Sequence, residues 1–361
     1  MIAFILGTRP EIIKSAPVIH EARRRGLPFA IVHTGQHYTP ELDDVFFREL
    51  DLPQPAYNLN VGSQPAAKQL AAMLSGLHDA LTALSPRVVL VQGDTNSVLA
   101  GALTAHKMGI KVAHLEAGLR SDDWDMPEEA NRVLAGIMAD VHFCPTDVQR
   151  ERLVRETIVD GVYVVGNTIV DAARHYSSVA SEKSDVMQRL GLIGTHFAVL
   201  TMHRPSNVDD PARLVALMEM LESTAQELEL KIVFPMHPRT EAALTRAGVL
   251  ERFSQSPSFV TSKPLGYLDL LALQANAQLL LTDSGGIQEE ANILRVPCIT
   301  LRANTERPET VDAGGNVLFD GTDASRLIKL AREMMSRPRD WNCPFGDGTT
   351  SVRVIDILST L

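Results

Sequence analysis

The chain has 361 residues, of which 45% are hydrophobic and 22% charged, and a formal net charge of −10. That length suits two domains and buries a large core unaided, while the acidity excludes a general nucleic-acid or anionic-membrane binder but not a small anionic ligand in a locally basic site. Three scattered cysteines, Cys144, Cys298 and Cys343, exclude a disulfide framework and any C-x-x-C zinc or redox site.

In chain order, strands are expected at residues 2–6, 29–34, 88–92, 111–115, 141–144 and 162–165. A second set follows at 197–202, 231–236, 259–261, 278–282, 298–301 and 316–319. The opening Met1–Gly7 has neither a basic leader nor a small-residue cleavage site, so it reads as a strand rather than a signal peptide. No apolar run reaches the ~18 residues of a membrane span, and a cytoplasmic protein is expected. Val88-Val89-Leu90-Val91 and Leu279-Leu280-Leu281 are apolar without alternation, as parallel strands buried on both faces are. Helical stretches such as 65–84 and 211–228 lie between the strands, which gives βαβ units in a doubly wound parallel α/β fold. Residues 166–193 hold no expected strand and become rich in Ser, Glu and Lys around 177–185, so the domain junction is placed there. Each half then carries about six strands, as two Rossmann-like domains facing a central cleft would, and the last stretch, 350–361, reads as a helix.

In open α/β sheets ligands bind beyond the carboxyl ends of the strands. Here those ends carry Gly7-Thr8-Arg9-Pro10-Glu11-Ile12-Ile13-Lys14, Gly35-Gln36-His37, Gly93-Asp94-Thr95 and Glu116-Ala117-Gly118-Leu119-Arg120. In the second half they carry His203-Arg204-Pro205, His237-Pro238-Arg239, Asp283-Ser284-Gly285-Gly286 and Asn304-Thr305-Glu306-Arg307-Pro308. The cations Arg9, Lys14, His203, Arg204, His237, Arg239, Arg302 and Arg307 all fall at or just after strand ends, and an inter-domain active site is expected from them.

Arg9 and Lys14 flank the start of a helix, where a cation pair and free N–H groups suit a phosphate; a solvated loop Arg and a helix-face Lys are the alternative. Two glycines after Ser284 let a ligand approach the backbone at a helix N-terminus. Glu289 and Glu290 follow, either serving the helix dipole or accepting from ribose hydroxyls. Asp94, Glu116 and Glu128 are three acids suited to general acid and base work. Glu128 also fits a plain helix start, with Pro127 at the first position and a Glu128–Arg132 pair, and Asp94 fits an Asx turn. Neither G-x-G-x-x-G, G-x-x-x-x-G-K-[ST] nor H-E-x-x-H occurs. His203 and His237 lack a third clustered ligand, so neither a cofactor nor a metal is expected.

These motifs, in this order over essentially the whole chain, closely resemble the non-hydrolysing UDP-N-acetylglucosamine 2-epimerase family. The resemblance rests on residues 7–14, 34–37, 91–95, 116–120, 127–129, 281–290 and 305–308, together with Gly166-Asn167-Thr168. It implies the GT-B-like pair of Rossmann domains, here 1–168 and 169–349, with the C-terminal helix 350–361 completing the first. It also implies a cytoplasmic homodimer that needs neither nicotinamide nor metal and inverts C2 of a UDP-linked 2-acetamido sugar. The implied course is elimination of UDP to a 2-acetamidoglucal, then re-addition.

The family's catalytic acids fall on Asp94, Glu116 and Glu128, and its important histidine on His203, for pyrophosphate contact or proton management. Its nucleotide contacts fall on Arg9, Lys14, Ser284, Gly285, Gly286, Glu290 and Arg307. Tyr267 matches the uracil segment and His237 a second active-site histidine. Residues 121–126 form a short connection like that of archaeal-type members and of relatives acting on UDP-diacetamido uronic acids. Tyr38 stands where many bacterial members have Arg, and Ser206 replaces a Glu. A related sugar as substrate, a GT-B glycosyltransferase, a hydrolysing epimerase and a non-catalytic UDP-sugar sensor are the rival readings.

Overall fold

The computed structural model describes residues 1–36 and 40–361, with residues 40–44 described by their backbone alone. His37 and Tyr38 lie outside the described residues. The strands are β1 (Ile2–Leu6), β2 (Phe29–His33), β3 (Tyr57–Asn58), β4 (Val88–Gln92), β5 (Lys111–Leu115), β6 (Val141–Cys144), β7 (Val162–Val164), β8 (Phe197–Thr201), β9 (Lys231–Pro235), β10 (Phe259–Ser262), β11 (Leu279–Thr282), β12 (Cys298–Thr300) and β13 (Asn316–Leu318). Each expected strand is present within a residue or so at either end. The additional β3 is two exposed residues at a sheet edge, too short and too polar to show a period in the sequence.

The chain divides into two units, residues 1–172 with 345–361, and residues 173–344. The first contains a seven-stranded sheet of order β3-β2-β1-β4-β5-β6-β7, the second a six-stranded sheet of order β10-β9-β8-β11-β12-β13. Every pairing is parallel. Both orders reverse direction once, between β1 and β4 and between β8 and β11. That switch point is where the carboxyl ends of a doubly wound sheet leave room for a ligand.

Burial on both faces explains the unbroken apolar runs. Ile5, Val89, Val91 and Val112 of the first sheet pack against Met73, Leu77 and Leu81 of the helix Ala66–Leu84. In the second unit Leu200, Ile232, Phe234 and Leu281 pack against Leu214, Leu217 and Leu221 of the helix Pro211–Glu227. Among the described residues no helix is long and apolar enough to cross a membrane.

The chain leaves the first unit within the helix Thr168–Lys183 and returns after Pro344. The helix Thr350–Thr360 buries Val354, Ile355 and Leu358 in the first unit. Its N-terminus is capped from a distance by Asp171, which accepts the N–H groups of Thr350 at 3.2 Å and Ser351 at 2.8 Å. A carboxylate there satisfies orphan donors and complements the helix dipole. Arg25 adds an ion pair to Asp356 at 2.6 Å, and Arg87 donates to the carbonyl of Leu358 at 3.1 Å.

Candidate active site

In the first unit the polar residues gather at the switch between β1 and β4. The turn after β1 is crowded: a Cβ on Gly7 would lie 1.9 Å from Ser97 Oγ and 2.3 Å from Thr34 Oγ1, so only glycine fits. Thr8 then starts the helix Arg9–Arg24, and Glu11, three residues on, turns back in the manner of a capping box. Glu11 Oε2 accepts the N–H of Gly7 at 2.5 Å and of Thr8 at 3.1 Å, and Thr95 Oγ1 donates to Oε1. Thr95 in turn caps the helix Asn96–Lys107, accepting from Ser97 and Val98. One buried carboxylate therefore joins the turn after β1 to the turn after β4. Burial raises the Glu11 carboxyl to about 7 against the pull of those donors.

Glu116 follows β5 with φ +61, in the left-handed region that non-glycine residues rarely occupy. Its carboxylate is buried and fully engaged. Lys14 Nζ donates to Oε1 at 2.6 Å, Asn167 Nδ2 donates to the same oxygen at 2.8 Å, and Gln92 Nε2 donates to Oε2. The Lys14 ammonium, only 7% exposed, thus pairs with a carboxylate. On strand β5 just before it, His114 Nε2 lies 2.7 Å from the carbonyl of Gly93. Burial holds that imidazole down at about 4, so it is neutral and donates to Gly93.

Asp94 is one-third exposed and accepts Arg132 Nη2 at 2.6 Å. Arg132 also reaches Glu129 at 2.7 Å, so the pair expected between Glu128 and Arg132 gives way to one with Glu129 and a longer-range one with Asp94. The reason is the loop 121–126: the Glu129 carboxylate accepts the N–H groups of Ser121 and Asp122 at 2.9 and 3.0 Å, which turns it inward beside Arg132. Burial alone would raise the Glu129 carboxyl, but these donors hold it below the usual range. Glu128 is left exposed on the first turn of the helix Pro127–Met138. Arg9, at the first position of its helix, has its guanidinium 5.5 Å from the ring centre of Phe46.

In the second unit the gathering point is the switch between β8 and β11, where Thr201 and Thr282 share a 2.6 Å hydrogen bond. Asp283 is wholly buried. It accepts the N–H of His203 at 3.0 Å and of Arg204 at 2.9 Å, together with Asn207 Nδ2 at 3.1 Å. His203 Nδ1 lies 3.1 Å from Asp283 Oδ1, which fixes the ring by one nitrogen and leaves Nε2 for other work. Burial would raise the Asp283 carboxyl; His203 and the two further donors hold it below its ordinary value. The rings of His203 and His237 are 5.3 Å apart. His237 caps the helix Pro238–Arg246, its Nδ1 accepting from the N–H of Arg239 at 3.1 Å.

Ser284 precedes the helix Gly285–Leu294. Neither Gly285 nor Gly286 has positive φ, and a Cβ on Gly285 would meet nothing within 4 Å. Neither the backbone nor the packing demands glycine there, whereas close approach of a ligand to the helix N–H groups would. Glu290, one turn along, is buried and accepts Gln274 Nε2 at 2.8 Å. Tyr267 is buried too, edge-on to Tyr176 at 5.9 Å. Burial and the nearby Glu290 push its phenol well above the usual value, a setting that suits support of Glu290. Arg307 Nε donates to the buried Glu289 at 2.5 Å.

The structure therefore gathers Lys14, Asp94 and Glu116 at one sheet end, and His203, His237, Ser284, Gly285 and Gly286 at the other. Glu11, Gln92, Thr95, Asn167 and Asp283 do structural work that their residue types alone do not announce. The signals were slight: a Thr-x-x-Glu pattern for Glu11, a polar residue closing a buried strand for Gln92, and an Asn before a helix for Asn167.

The family model described as UDP-N-acetylglucosamine 2-epimerase matches residues 20–359. The chain is 45% identical over 361 residues to the UDP-N-acetylglucosamine 2-epimerase of Methanocaldococcus jannaschii, covering 99% of this chain and 98% of that one. It is 36% identical over 366 residues to the UDP-2,3-diacetamido-2,3-dideoxy-D-glucuronate 2-epimerase of Pseudomonas aeruginosa, covering 99% of both. The crystal structure of the M. jannaschii enzyme in complex with UDP-GlcNAc and UDP superimposes with a TM-score of 0.91 at 44% identity, covering 100% of this chain and 99% of that one.

Proposed function

The chain belongs to the UDP-N-acetylglucosamine 2-epimerase family, and we propose that it inverts C2 of a UDP-linked 2-acetamido sugar, reversibly converting UDP-N-acetylglucosamine to UDP-N-acetylmannosamine. The observation that carries this reading is the pair of carboxylates that follow the neighbouring strands β4 and β5, Asp94 paired with Arg132 and Glu116 held by Lys14, Gln92 and Asn167.

In the elimination, a base takes the proton from C2, and the C–H electron pair becomes the C1–C2 double bond. The C1–O pair leaves with UDP, so the products are 2-acetamidoglucal and UDP. In the return step the oxygen of UDP bonds to C1 while a proton arrives at the other face of C2. Moving carbon-bound protons needs positioned acids and bases, and Asp94, Glu116 and Glu128 take that work together with stabilisation of the oxocarbenium-like state. The departing diphosphate needs donors and cations. Ser284, Gly285 and Gly286 offer helix N–H groups; His203, held by Asp283, offers Nε2; Arg9, His237 and Arg307 add their side chains. Glu290 suits the ribose hydroxyls, with Tyr267 behind it. Lys14, by its contact with Glu116, serves the carboxylate more directly than a phosphate. No step calls for nicotinamide or metal. The chain acts in the cytoplasm as a homodimer, which light scattering tests against twice the 39.5 kDa chain mass.

Incubation with UDP-N-acetylglucosamine in D2O, followed by NMR, should place deuterium at C2 of both product and recovered substrate. Absence of exchange with every UDP-2-acetamido sugar tried would overturn the proposal. The 36% identity to the diacetamido-glucuronate enzyme gives a second reading, a related sugar as substrate, and the same panel separates the two.

A further inference from the structure

Asn167 stands at the start of the helix Thr168–Lys183 with every polar group of its residue engaged. Its Oδ1 accepts the N–H of Ile169 at 3.1 Å, which caps the helix. That contact fixes which way the amide faces, so Nδ2 donates to Glu116 Oε1 at 2.8 Å. Its backbone N–H donates to the carbonyl of Phe345 at 2.8 Å. Gly166, the residue before, has φ +93, and a Cβ there would lie 2.7 Å from Thr350 Oγ1. One turn later Asp171 holds the N–H groups of Thr350 and Ser351. The outgoing chain at 166–171 and the returning chain at 345–351 are therefore fastened together, and the side chain of Asn167 connects that fastening to Glu116.

We infer that Asn167 is a positioning residue for the reaction: its amide, seated where the outgoing and returning chains are fastened, fixes the rotamer of the Glu116 carboxylate. The inference rests on the reading of Glu116 as catalytic. Glu116 leaves its strand in a left-handed conformation and carries a flexible side chain, so its aim must come from its partners. Lys14 can follow a moving carboxylate, whereas a capped, buried amide cannot. An amide also restrains the carboxylate without adding charge.

The test uses Asn167→Ser and Asn167→Asp, both of which keep a good helix cap. Serine is too short to reach Glu116, and aspartate sets a carboxylate against it. Steady-state kinetics should show kcat falling roughly 10–150-fold for serine, the range for losing a hydrogen bond to a charged group, and further for aspartate. KM and UDP affinity should stay close to the parent values, while Tm should fall modestly with serine, which takes one donor from a buried carboxylate, and more with aspartate, which buries a like charge beside it. Asn167→Ala, which loses the cap as well as the donor, should lower Tm more than serine does while leaving kcat close to that of serine. The inference is overturned if serine or aspartate keeps kcat within about threefold of the parent, or if alanine, with its larger loss of Tm, loses correspondingly more kcat than serine. Glu116→Gln separates the two levels: normal turnover in that variant removes the reading of Glu116 itself, while an inactive Glu116→Gln beside unaffected Asn167 variants removes only this inference.

Discussion

Glu11 and His114 sit on either side of the turn that carries Asp94, and they pull the pH dependence of stability in opposite directions. The His114 imidazole falls from its ordinary 6.5 to about 4 on burial. Between those values the unfolded chain binds the extra proton, so His114 makes stability rise with pH. The Glu11 carboxyl climbs from 4.5 to about 7. Across that window the folded chain binds the extra proton, so Glu11 makes stability fall as pH rises. Each effect is on the order of 3 kcal/mol when taken alone. Urea melts between pH 4.5 and 7 should therefore show stability rising more steeply with pH in Glu11→Gln than in the parent, and less steeply in His114→Gln. An unchanged slope in Glu11→Gln would mean that Glu11 titrates as an ordinary carboxylate. For activity, Asp94→Asn and Glu116→Gln should each cut kcat by roughly 10²–10⁴-fold, the scale of positioned acid–base catalysis, while calorimetry shows UDP binding retained. Normal turnover in both would refute the catalytic assignment.

The two turns rich in glycine make different demands on their elements. Gly7 is walled in by Ser97 and Thr34, so Gly7→Ala should cost about 1–3 kcal/mol of stability by overpacking. Gly285 opens onto unfilled surroundings, so Gly285→Ala should leave Tm nearly unchanged and weaken UDP binding, as titration calorimetry can show. Equal Tm losses in the two would erase the distinction. The elements were largely legible in the sequence because an apolar run buried on both faces needs no partner to be recognised, as Val88-Val89-Leu90-Val91 illustrates. Strand-end motifs were legible for the same reason, since chemistry-bearing residues stand out against such runs. What the sequence withheld was who holds whom. Arg132 reads as the partner of Glu128 by helical spacing, yet the inward turn of Glu129 and the arrival of Asp94 from β4 decide otherwise. Lys14 reads as a phosphate cation, yet a carboxylate 102 residues away receives it. Pairings across such distances depend on tertiary packing, which local spacing does not encode.

At the scale of the molecule, the first unit is made from both ends of the chain and the second from one continuous stretch. The helix Thr350–Thr360 fills its share of the first core with Val354, Ile355 and Leu358 and is tied down by Asp171, Arg25 and Arg87. A chain ending at residue 344 should therefore lose the first unit's cooperative melting transition, while residues 173–344 keep theirs. Calorimetry with one transition lost and one kept is the expected result; two intact transitions would show that the last helix is dispensable. The same arrangement has a consequence during synthesis. β1–β7 are made before residues 173–344, yet the unit they form also needs residues 345–361, which are made after them. The unit begun first therefore closes its core only after the whole of the second unit has been made, and the Glu116 cradle shares in that closure, since Asn167 belongs to it and donates its backbone N–H to Phe345.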